Sequence, residues 1–185
     1  MKSTDDSLPD SVLITRALES QDQQAYTELV NRHQSKLRYS MRQLTNWNEA
    51  LADDLVQEAF IQAFKKLTSF RGDSKFSSWL YRIGYNVFLQ QARKKVLLVD
   101  SIDAHPVEEI PQNEADPNDD GELHKKLASL LAKLEPERRS VLHLFLHRQN
   151  TQQEIATIMG IPLGTVKTHI NRGRAGLQDA LAAWR

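Results

Sequence analysis

Residues 151–177, TQQEIATIMGIPLGTVKTHINRGRAGL, carry the strongest local signal in the chain and predict two short helices joined by a tight turn. Thr151 and Glu154 have the spacing of a capping box, in which the two residues satisfy each other's free backbone amides at a helix start. Gly160 provides the left-handed residue that ends this helix, and Pro162 suits the first turn of the next one. The stretch therefore predicts a helix-turn-helix, although an ordinary helical hairpin has a similar pattern.

The second helix of this motif separates an apolar stripe from a polar one. At 100° per residue, Val166, Ile170, Gly173 and Leu177 fall on the side that faces the body of the protein. Short polar side chains and Arg can reach the edges of bases, while Lys and Arg at the margins can bind phosphates. The polar side chains on and beside the outer face are Thr165, Lys167, Thr168, His169, Asn171, Arg172 and Arg174.

Acidic residues are concentrated between Asp100 and Glu122. This segment has nine Asp and Glu and no Lys or Arg, although the whole chain has 24 residues of each sign and no net charge. The rest of the chain therefore has 15 acidic against 24 basic residues, a balance that fits DNA-binding domains. Three prolines and few large apolar residues complete the segment, which is typical of a flexible tether. Residues 97–122 are interpreted as an acidic linker.

The parts on either side of this linker both have helical patterns, because apolar residues recur at intervals of three and four without sustained alternation. The predicted fold is all-α, with one small helical domain over residues 10–96 and a second over 123–185. With 185 residues and 40% apolar content, both domains can bury a core. The predicted helices are an opening pair, then about Asp53–Leu67, with Phe64 beside its apolar stripe, Phe76–Lys95, 123–134, 136–148, 151–158 and 162–183.

Several functional classes are excluded or disfavoured by composition. The chain has no cysteine, so disulfides, thiol nucleophiles and Cys-ligated metals are excluded. No apolar run of about 18 residues and no leader pattern are present, so we expect a cytoplasmic protein without membrane insertion. His143 and His147 have a spacing that a metal can bridge, but they interleave with apolar residues and are interpreted as packing histidines. No phosphate loop or hydrolase motif is present, so we expect no metal, no cofactor and no enzymatic activity.

The segment 76–95, FSSWLYRIGYNVFLQQARKK, predicts a helix with a buried apolar side that includes Leu80, Ile83 and Val87. A second stripe, facing away from it, combines one large aromatic residue with Arg, Asn and Gln. Such a face can stack on and hydrogen-bond an unpaired base, although an aromatic core helix with a solvated polar face fits equally. The residues of the second stripe are Trp79, Arg82, Asn86, Gln90 and Arg93.

The segment Asp53-Asp54-Leu55-Val56-Gln57-Glu58 places polar side chains on one helical face. Asp54, Gln57, Glu58 and Ile61 share this face at spacings of three and four. Acidic residues at a helix N-terminus are also favoured by the helix dipole alone, so the pattern by itself does not require a docking surface.

With these three segments in this order, the chain resembles an extracytoplasmic function (ECF) sigma factor, a compact branch of the bacterial sigma-70 superfamily. The resemblance covers about residues 10–96 and 123–183. Its most specific parts are DLVQEAF at 54–60, FRGDSKFSSWLYRIGYN at 70–86 and EIATIMGIPLGTVKTHINRGR at 154–174. It implies that the first domain is similar to sigma domain 2 and the second to sigma domain 4.

The resemblance also implies roles for the three segments. Asp54, Gln57 and Glu58, with Ile61 beside them, match the segment that grips the clamp helices of the largest polymerase subunit. Asn86 and Gln90 match positions that read a flipped base of the minus-10 element, with Trp79 in the melting segment and Arg82 and Arg93 on the same stripe. Lys167, Thr168, Asn171 and Arg172 match positions that read the minus-35 element, flanked by Thr165 and Arg174. The implied partners are core RNA polymerase (clamp helices and flap), promoter DNA and an anti-sigma factor.

Two departures from the family's pattern affect DNA reading. Many members have Asp at the position of Gln90 and Ser-Arg at Thr168-His169, so the promoter read here can differ. Residues 148–150 also lack the Gly frequently found before the helix-turn-helix.

Two other functions stay open from the residues alone: a dimeric repressor or activator that binds a palindrome without polymerase, and a helical adaptor that binds only proteins.

The expected mechanism needs both domains to contact one duplex, with their separation set by docking on the polymerase. DNA opening would come from capture, because holding a flipped base offsets a few kcal/mol of unstacking. The acidic linker would lie in a basic channel of the enzyme or suppress DNA binding by the free protein.

Overall fold

The computed structural model describes residues 8–19, 22–100 and 129–182. In these ranges the regular elements are all helical, as the sequence predicts. The helices are α1 (Asp10–Glu19), α2 (Gln23–Leu44), α3 (Glu49–Lys65), α4 (Phe76–Asp100), α5 (Pro136–Leu146), α6 (Gln152–Met159) and α7 (Leu163–Ala182), with a short 3-10 helix at Leu67–Ser69.

The first unit consists of α1 to α4, and side-chain caps set the starts of α2 and α3. The Asp22 carboxylate accepts hydrogen bonds from the backbone amides of Gln24 and Ala25 at the start of α2. Asn48 caps α3 by accepting from the amide of Leu51, so α3 begins at Glu49 instead of the predicted Asp53. Side-chain oxygens at these positions satisfy amides that have no partner inside the helix.

The fourth helix is longer than predicted. It continues to Asp100, whereas the sequence pattern placed its end near Lys95 and the start of the linker at residue 97. The apolar residues Val96-Leu97-Leu98-Val99 carry no Gly or Pro that would end a helix. The rest of the predicted linker and residues 123–128 of the predicted 123–134 helix lie outside the described residues, and 129–132 are helical.

The second unit consists of α5 to α7 and contains the predicted helix-turn-helix. Both halves of the capping box are present: Glu154 N donates to Thr151 Oγ1 at 3.2 Å, and Thr151 N donates to the Glu154 carboxylate at 2.8 Å. Gly160 ends α6 with φ of 67°, a left-handed conformation that favours glycine. Pro162 lies one residue before α7 rather than inside its first turn, and its carbonyl accepts from the amides of Thr165 and Val166.

The core of the second unit brings α7 very close to α5. Val166 and Ile170 are fully buried, as the helical wheel predicts. Gly173 is buried as well, and a Cβ at this position would lie 2.4 Å from a methyl carbon of Leu142. The absence of a side chain at residue 173 therefore sets the distance between the two helices.

The two units pack directly against each other. Helices α5 and α6 lie on α2 and α4, and the buried apolar residues of both units form one continuous cluster. None of the helices over the described ranges has the length and apolarity needed to cross a membrane.

Candidate nucleic-acid interface

The outer face of α7 presents the polar side chains that the sequence selects for base reading. Lys167, Thr168, Asn171 and Arg172 are exposed on it, and Thr165 is half-buried. Thr168 Oγ1 donates to the carbonyl of Gly164, one turn earlier, at 2.9 Å. Val166 and Ile170 are buried on the opposite side of α7, so the packing of this helix directs the polar face to solvent.

Two side chains beside this face make contacts within the unit. His169 was predicted at the margin of the polar face, but it is half-buried and its Nε2 lies 3.4 Å from the Glu137 carboxylate of α5. Arg174 is exposed, and its guanidinium carbon lies 4.8 Å from the centroid of the Phe145 ring. The packing of α7 on α5 thus turns His169 toward the protein, because α5 supplies its acidic neighbour.

The outer face of α4 presents Arg82, Asn86, Gln90 and Arg93, all exposed. Leu80, Ile83 and Val87 are buried on the opposite side, as predicted. These polar residues are spaced at three and four along the helix, so they form one stripe of amide and guanidinium groups.

Trp79 does not stand free on this stripe. It is half-buried, with its ring centroid 5.3 Å from that of Phe70 and 5.6 Å from that of Phe76. The helical wheel placed Trp79 on the outward stripe, but it could not include Phe70, which precedes the helix and folds back over it. Trp79 therefore lies in a cluster of three aromatic rings with Phe70 and the buried Phe76.

A groove lies between α2 and α3, and we call it the α2–α3 groove. Its volume is about 750 Å³, and two large apolar side chains in it are solvent-exposed, Ile61 at 43% and Phe64 at 55%. Phe64 was predicted beside the apolar stripe of its helix, and its exposure shows that this stripe is only partly covered. The groove is lined by Gln23, Tyr26, Thr27, Val30, Gln34, Arg38, Asp53, Asp54, Val56, Gln57, Phe60, Ile61, Phe64 and Lys65.

Polar side chains surround this exposed apolar pair. Asp54 and Gln57 line the groove and are exposed, whereas Glu58 is exposed outside the lining and accepts a hydrogen bond from Gln62 at 3.0 Å. Three of the four residues predicted for this surface, Asp54, Gln57 and Ile61, are thus brought together. The exposed apolar centre at Phe64 was not predicted.

Tyr26 fixes the floor of the groove. Its hydroxyl donates to the carbonyl of Phe60 at 2.6 Å, and its ring packs edge-on against Phe64 with centroids 4.9 Å apart. Burial raises the pKa of Tyr26 to about 12, so the hydroxyl stays protonated and keeps donating. The sequence analysis missed this residue, because its contacts are with a helix more than thirty positions away.

His143 is buried in α5, with only 3% of its surface exposed. Its ring stacks on that of His147 with centroids 5.3 Å apart, and Tyr85 of the first unit lies at 6.2 Å. Burial, followed by repulsion from His147 and Arg148, lowers the pKa of His143 to about 3. Over the described part of the chain no three His, Asp or Glu side chains are grouped as a metal ion would require.

Comparison with known families assigns both units. The family described as Sigma-70 region 2 matches residues 29–96, and the family described as Sigma-70, region 4 matches residues 124–177. Together with the helix-turn-helix and the polar stripe of α4, these matches define the class of protein as a sigma-70-type transcription factor.

Individual relatives cover nearly the whole chain. The ECF RNA polymerase sigma factor SigW of Bacillus subtilis is 35% identical over 86% of this chain and 90% of the relative. The ECF RNA polymerase sigma-E factor of Escherichia coli K12 is 33% identical over 93% of this chain and 94% of the relative. The protein therefore belongs to the family of ECF RNA polymerase sigma factors, which bind core polymerase and recognise promoters. Members of this family are regulatory proteins of transcription.

Solved structures agree with this family. The sigma factor RpoE of Bartonella quintana, in complex with the anti-sigma factor NepR, has a TM-score of 0.69 and 25% identity, over 86% of this chain and 98% of that one. CnrH, in complex with the cytosolic domain of CnrY, has a TM-score of 0.65 and 28% identity, over 94% and 97%. These values support an ECF sigma fold that includes both units of the chain.

Proposed function

We propose that this sigma factor divides promoter recognition among three surfaces, each built from side chains that the structure exposes. The outer face of α7 reads the minus-35 element, the outer face of α4 captures bases of the minus-10 element, and the α2–α3 groove docks on core polymerase. The observation that carries the proposal is the separation on α7, where Val166 and Ile170 are buried and Asn171 and Arg172 are exposed.

On α7, Asn171 and Arg172 are the residues that select bases. An amide can bind adenine and a guanidinium can bind guanine by paired hydrogen bonds in the major groove. Lys167 and Arg174 at the margins bind phosphates and set the register of the helix. Thr165 and Thr168 add short polar contacts, although the Thr168 hydroxyl already donates to the Gly164 carbonyl.

On α4, Asn86 and Gln90 bind the polar edges of captured bases of the opened strand. Arg82 and Arg93 bind the phosphates beside them, and the aromatic cluster of Trp79, Phe70 and Phe76 supports a stacked base. Each captured base offsets part of the unstacking free energy, so the DNA opens without nucleotide hydrolysis.

The α2–α3 groove binds a helical element of the polymerase, the clamp helices of its largest subunit. The exposed apolar pair Ile61 and Phe64 supplies the contact area, while Asp54, Gln57 and Glu58 supply acidic and amide groups at the rim. Apolar centres with polar rims are the usual composition of specific interfaces. The second unit contacts the flap of the polymerase, which holds α7 at the distance of the minus-35 element.

The same surfaces are the sites at which an anti-sigma factor acts. RpoE was solved with the anti-sigma factor NepR bound and CnrH with the cytosolic domain of CnrY bound. A protein that covers the α2–α3 groove competes directly with polymerase. Consistent with these partners, the protein works in the cytoplasm.

The acidic linker either lies in a basic channel of the polymerase or suppresses DNA binding by the free protein.

Binding measurements on separate ligands test this division of roles. The ligands are purified bacterial core polymerase and a forked promoter DNA selected from a random pool with the reconstituted holoenzyme. Asp54→Ala should weaken binding to core polymerase at least tenfold, whereas Asn86→Ala and Arg172→Ala should leave it within twofold. For binding of forked DNA by the holoenzyme, Asn86→Ala and Arg172→Ala should weaken the affinity at least tenfold, whereas Asp54→Ala should leave it within twofold. Gln153→Ala, a change at an exposed position of α6, is the control. Equal effects of all variants on both ligands would contradict the proposal.

A further inference from the structure

The aromatic cluster of Phe70, Phe76 and Trp79 contacts a polar pair that joins α1 to α2. Nε2 of His33 in α2 donates to the carboxylate of Asp10, the first residue of α1, at 2.8 Å. The ring of His33 packs edge-on against that of Phe76, with centroids 5.2 Å apart. Phe76 is buried and its ring centroid lies 5.6 Å from that of Trp79. A continuous series of contacts therefore runs from Asp10 to Trp79.

The start of α1 is also fixed on α2 by Arg32. Its Nη1 donates to the carbonyl of Leu8 and lies 3.5 Å from the Asp10 carboxylate, and its Nε donates to Glu28 at 2.7 Å. The Asp10 carboxylate thus lies between two donors of α2, Arg32 and His33. A side chain held in this way restricts the orientation of the group that it binds, so Asp10 fixes the ring of His33.

Helix α1 supports the aromatic cluster at a second point, through the 3-10 helix Leu67–Ser69. The two helices pack against each other. The next residue, Phe70, donates its backbone amide to the carbonyl of Leu67 at 3.1 Å, and its ring centroid lies 5.3 Å from that of Trp79. The placement of both rings that contact Trp79 therefore depends on α1.

Stability alone does not account for a polar pair at this place. Leu13 and Ile14 are buried and already attach α1 to the core. The side chains of Asp10 and His33 are 32% and 16% exposed, and partly exposed pairs of this kind contribute little to stability. A hydrogen bond has a preferred direction, whereas an apolar contact does not. The particular contribution of the pair is the orientation of the His33 ring against Phe76.

We propose that Asp10 and His33 are positioning residues for promoter opening. Through Phe76 they hold the Trp79 ring in the orientation in which a captured base of the minus-10 element stacks on it. Stacking on an aromatic side chain depends on the relative placement of the rings, so a Trp79 ring that is free to tilt captures the base less well. Helix α1 thereby takes part in DNA opening. This inference rests on the role of Trp79 given under the proposed function.

The experiment compares two DNAs bound by holoenzyme assembled from core polymerase and the full chain. One is the forked promoter DNA, in which the minus-10 element has an unpaired strand, and the other is the same DNA shortened to end before this element. Asp10→Ala and His33→Ala should weaken binding to the forked DNA about threefold to tenfold. Both should leave the affinities for the shortened DNA and for core polymerase within twofold. Asp10→Asn should restore most of the loss, because its amide oxygen can still accept from His33.

Arg16→Ala is the matched control. Arg16 lies in the last turn of α1 and binds Asp22, the residue that caps α2, at 2.8 Å. The variant therefore removes an ion pair that joins the same two helices at the other end of α1, and it should leave all three affinities within twofold. A loss of forked-DNA binding as large as with Asp10→Ala would show that α1 acts through general stability and would overturn the proposal.

A double-mutant cycle tests whether the effect passes through Trp79. Trp79→Ala should itself weaken binding to the forked DNA, and Asp10→Ala should then add no further loss. Additive losses would overturn the inference, and so would a loss with Trp79→Ala but none with Asp10→Ala or His33→Ala, which leaves the proposed function standing. Unchanged binding with Trp79→Ala would contradict the proposed role of Trp79 and, with it, this inference.

Fluorescence of Trp79 reports its placement in the free protein. The chain has three tryptophans, so Trp47→Phe combined with Trp184→Phe leaves Trp79 as the only one. Quenching of this fluorescence by acrylamide should increase with Asp10→Ala and stay constant with Arg16→Ala, while circular dichroism establishes that both variants are folded. Equal quenching in the Asp10→Ala variant and its parent would overturn the proposal, since the Trp79 ring would then not depend on Asp10.

Discussion

Gly173 in α7 lies so close to Leu142 in α5 that a Cβ at residue 173 would stand 2.4 Å from a Leu142 methyl carbon. This contact sets how deeply α7 is seated in the second unit. Since Asn171 and Arg172 directly precede Gly173, the position of their side chains depends on it.

Gly173→Ala should therefore destabilise the protein by about 1–3 kcal/mol, because the added methyl group forces α5 and α7 apart. Gly176→Ala is a matched control in the same helix, where an added Cβ meets nothing within 4 Å. That change should be neutral or stabilising by up to about 1 kcal/mol, since alanine favours helices. Urea unfolding measures both, and equal stability of the two variants would show that the contact does not limit packing.

The capping box makes a similar prediction for the start of α6. Thr151→Ala removes the side-chain oxygen that accepts from the Glu154 amide and should cost about 1 kcal/mol. Thr157→Ala is the control, because the Thr157 hydroxyl donates only to the Gln153 carbonyl within the same helix. Chemical denaturation should separate the two variants, and a loss with Thr157→Ala as large as with Thr151→Ala would argue against the cap.

Burial of His143 predicts a pH dependence of stability. Its pKa falls from 6.5 to about 3 on folding, so below pH 6.5 the unfolded chain binds a proton that the folded protein does not. The full free energy of unfolding is therefore present above pH 6.5, and it decreases as pH falls toward 3. At pH 5 the loss should be about 2 kcal/mol. Unfolding measured from pH 8 to 5 should show this slope, and His143→Leu should remove it.

His147→Ala is the control for this pH effect. Burial is the largest cause of the shift, and repulsion from His147 comes second, so most of the slope should remain in that variant. An unchanged slope in His143→Leu would mean that other groups account for the loss of stability at low pH.

The exposed apolar pair of the α2–α3 groove predicts a separation of stability from binding. Phe64→Ser should change unfolding free energy little, because 55% of the side chain is already exposed, but it should weaken binding to core polymerase about tenfold or more. Val12→Ser in α1 is the control, since Val12 is 39% exposed and does not line the groove. Fluorescence anisotropy with labelled protein measures both, and equal affinities for the two variants would place the docking surface elsewhere.

Local sequence patterns predicted the helices and the faces of α7 because these depend on neighbours within one or two turns. The capping residues Thr151 and Glu154, the left-handed Gly160 and the buried Val166 and Ile170 are all confirmed. The start of α3 was wrong by one turn because Asn48 caps it, and the end of α4 was wrong because an apolar run extends the helix.

Long-range packing determined the features that the sequence did not predict. Phe64 is exposed, Trp79 is covered by Phe70, and His169 turns toward Glu137. The packing of the two units against each other involves pairs such as Gln43 and His147, which are 104 positions apart. Periodicity within one helix carries no information about such partners. The roles of individual DNA-contacting and polymerase-contacting residues stay predictions.

The central claim, that this sigma factor directs polymerase to promoters through the faces of α4 and α7, is tested most directly by run-off transcription. Purified bacterial core polymerase is supplied with a pool of genomic promoter fragments, with and without the protein. We predict specific new transcripts that disappear with Asn86→Ala and with Arg172→Ala but persist with the Gln153→Ala control. Transcripts that persist with both Asn86→Ala and Arg172→Ala, in amounts equal to those of the natural chain, would contradict the account.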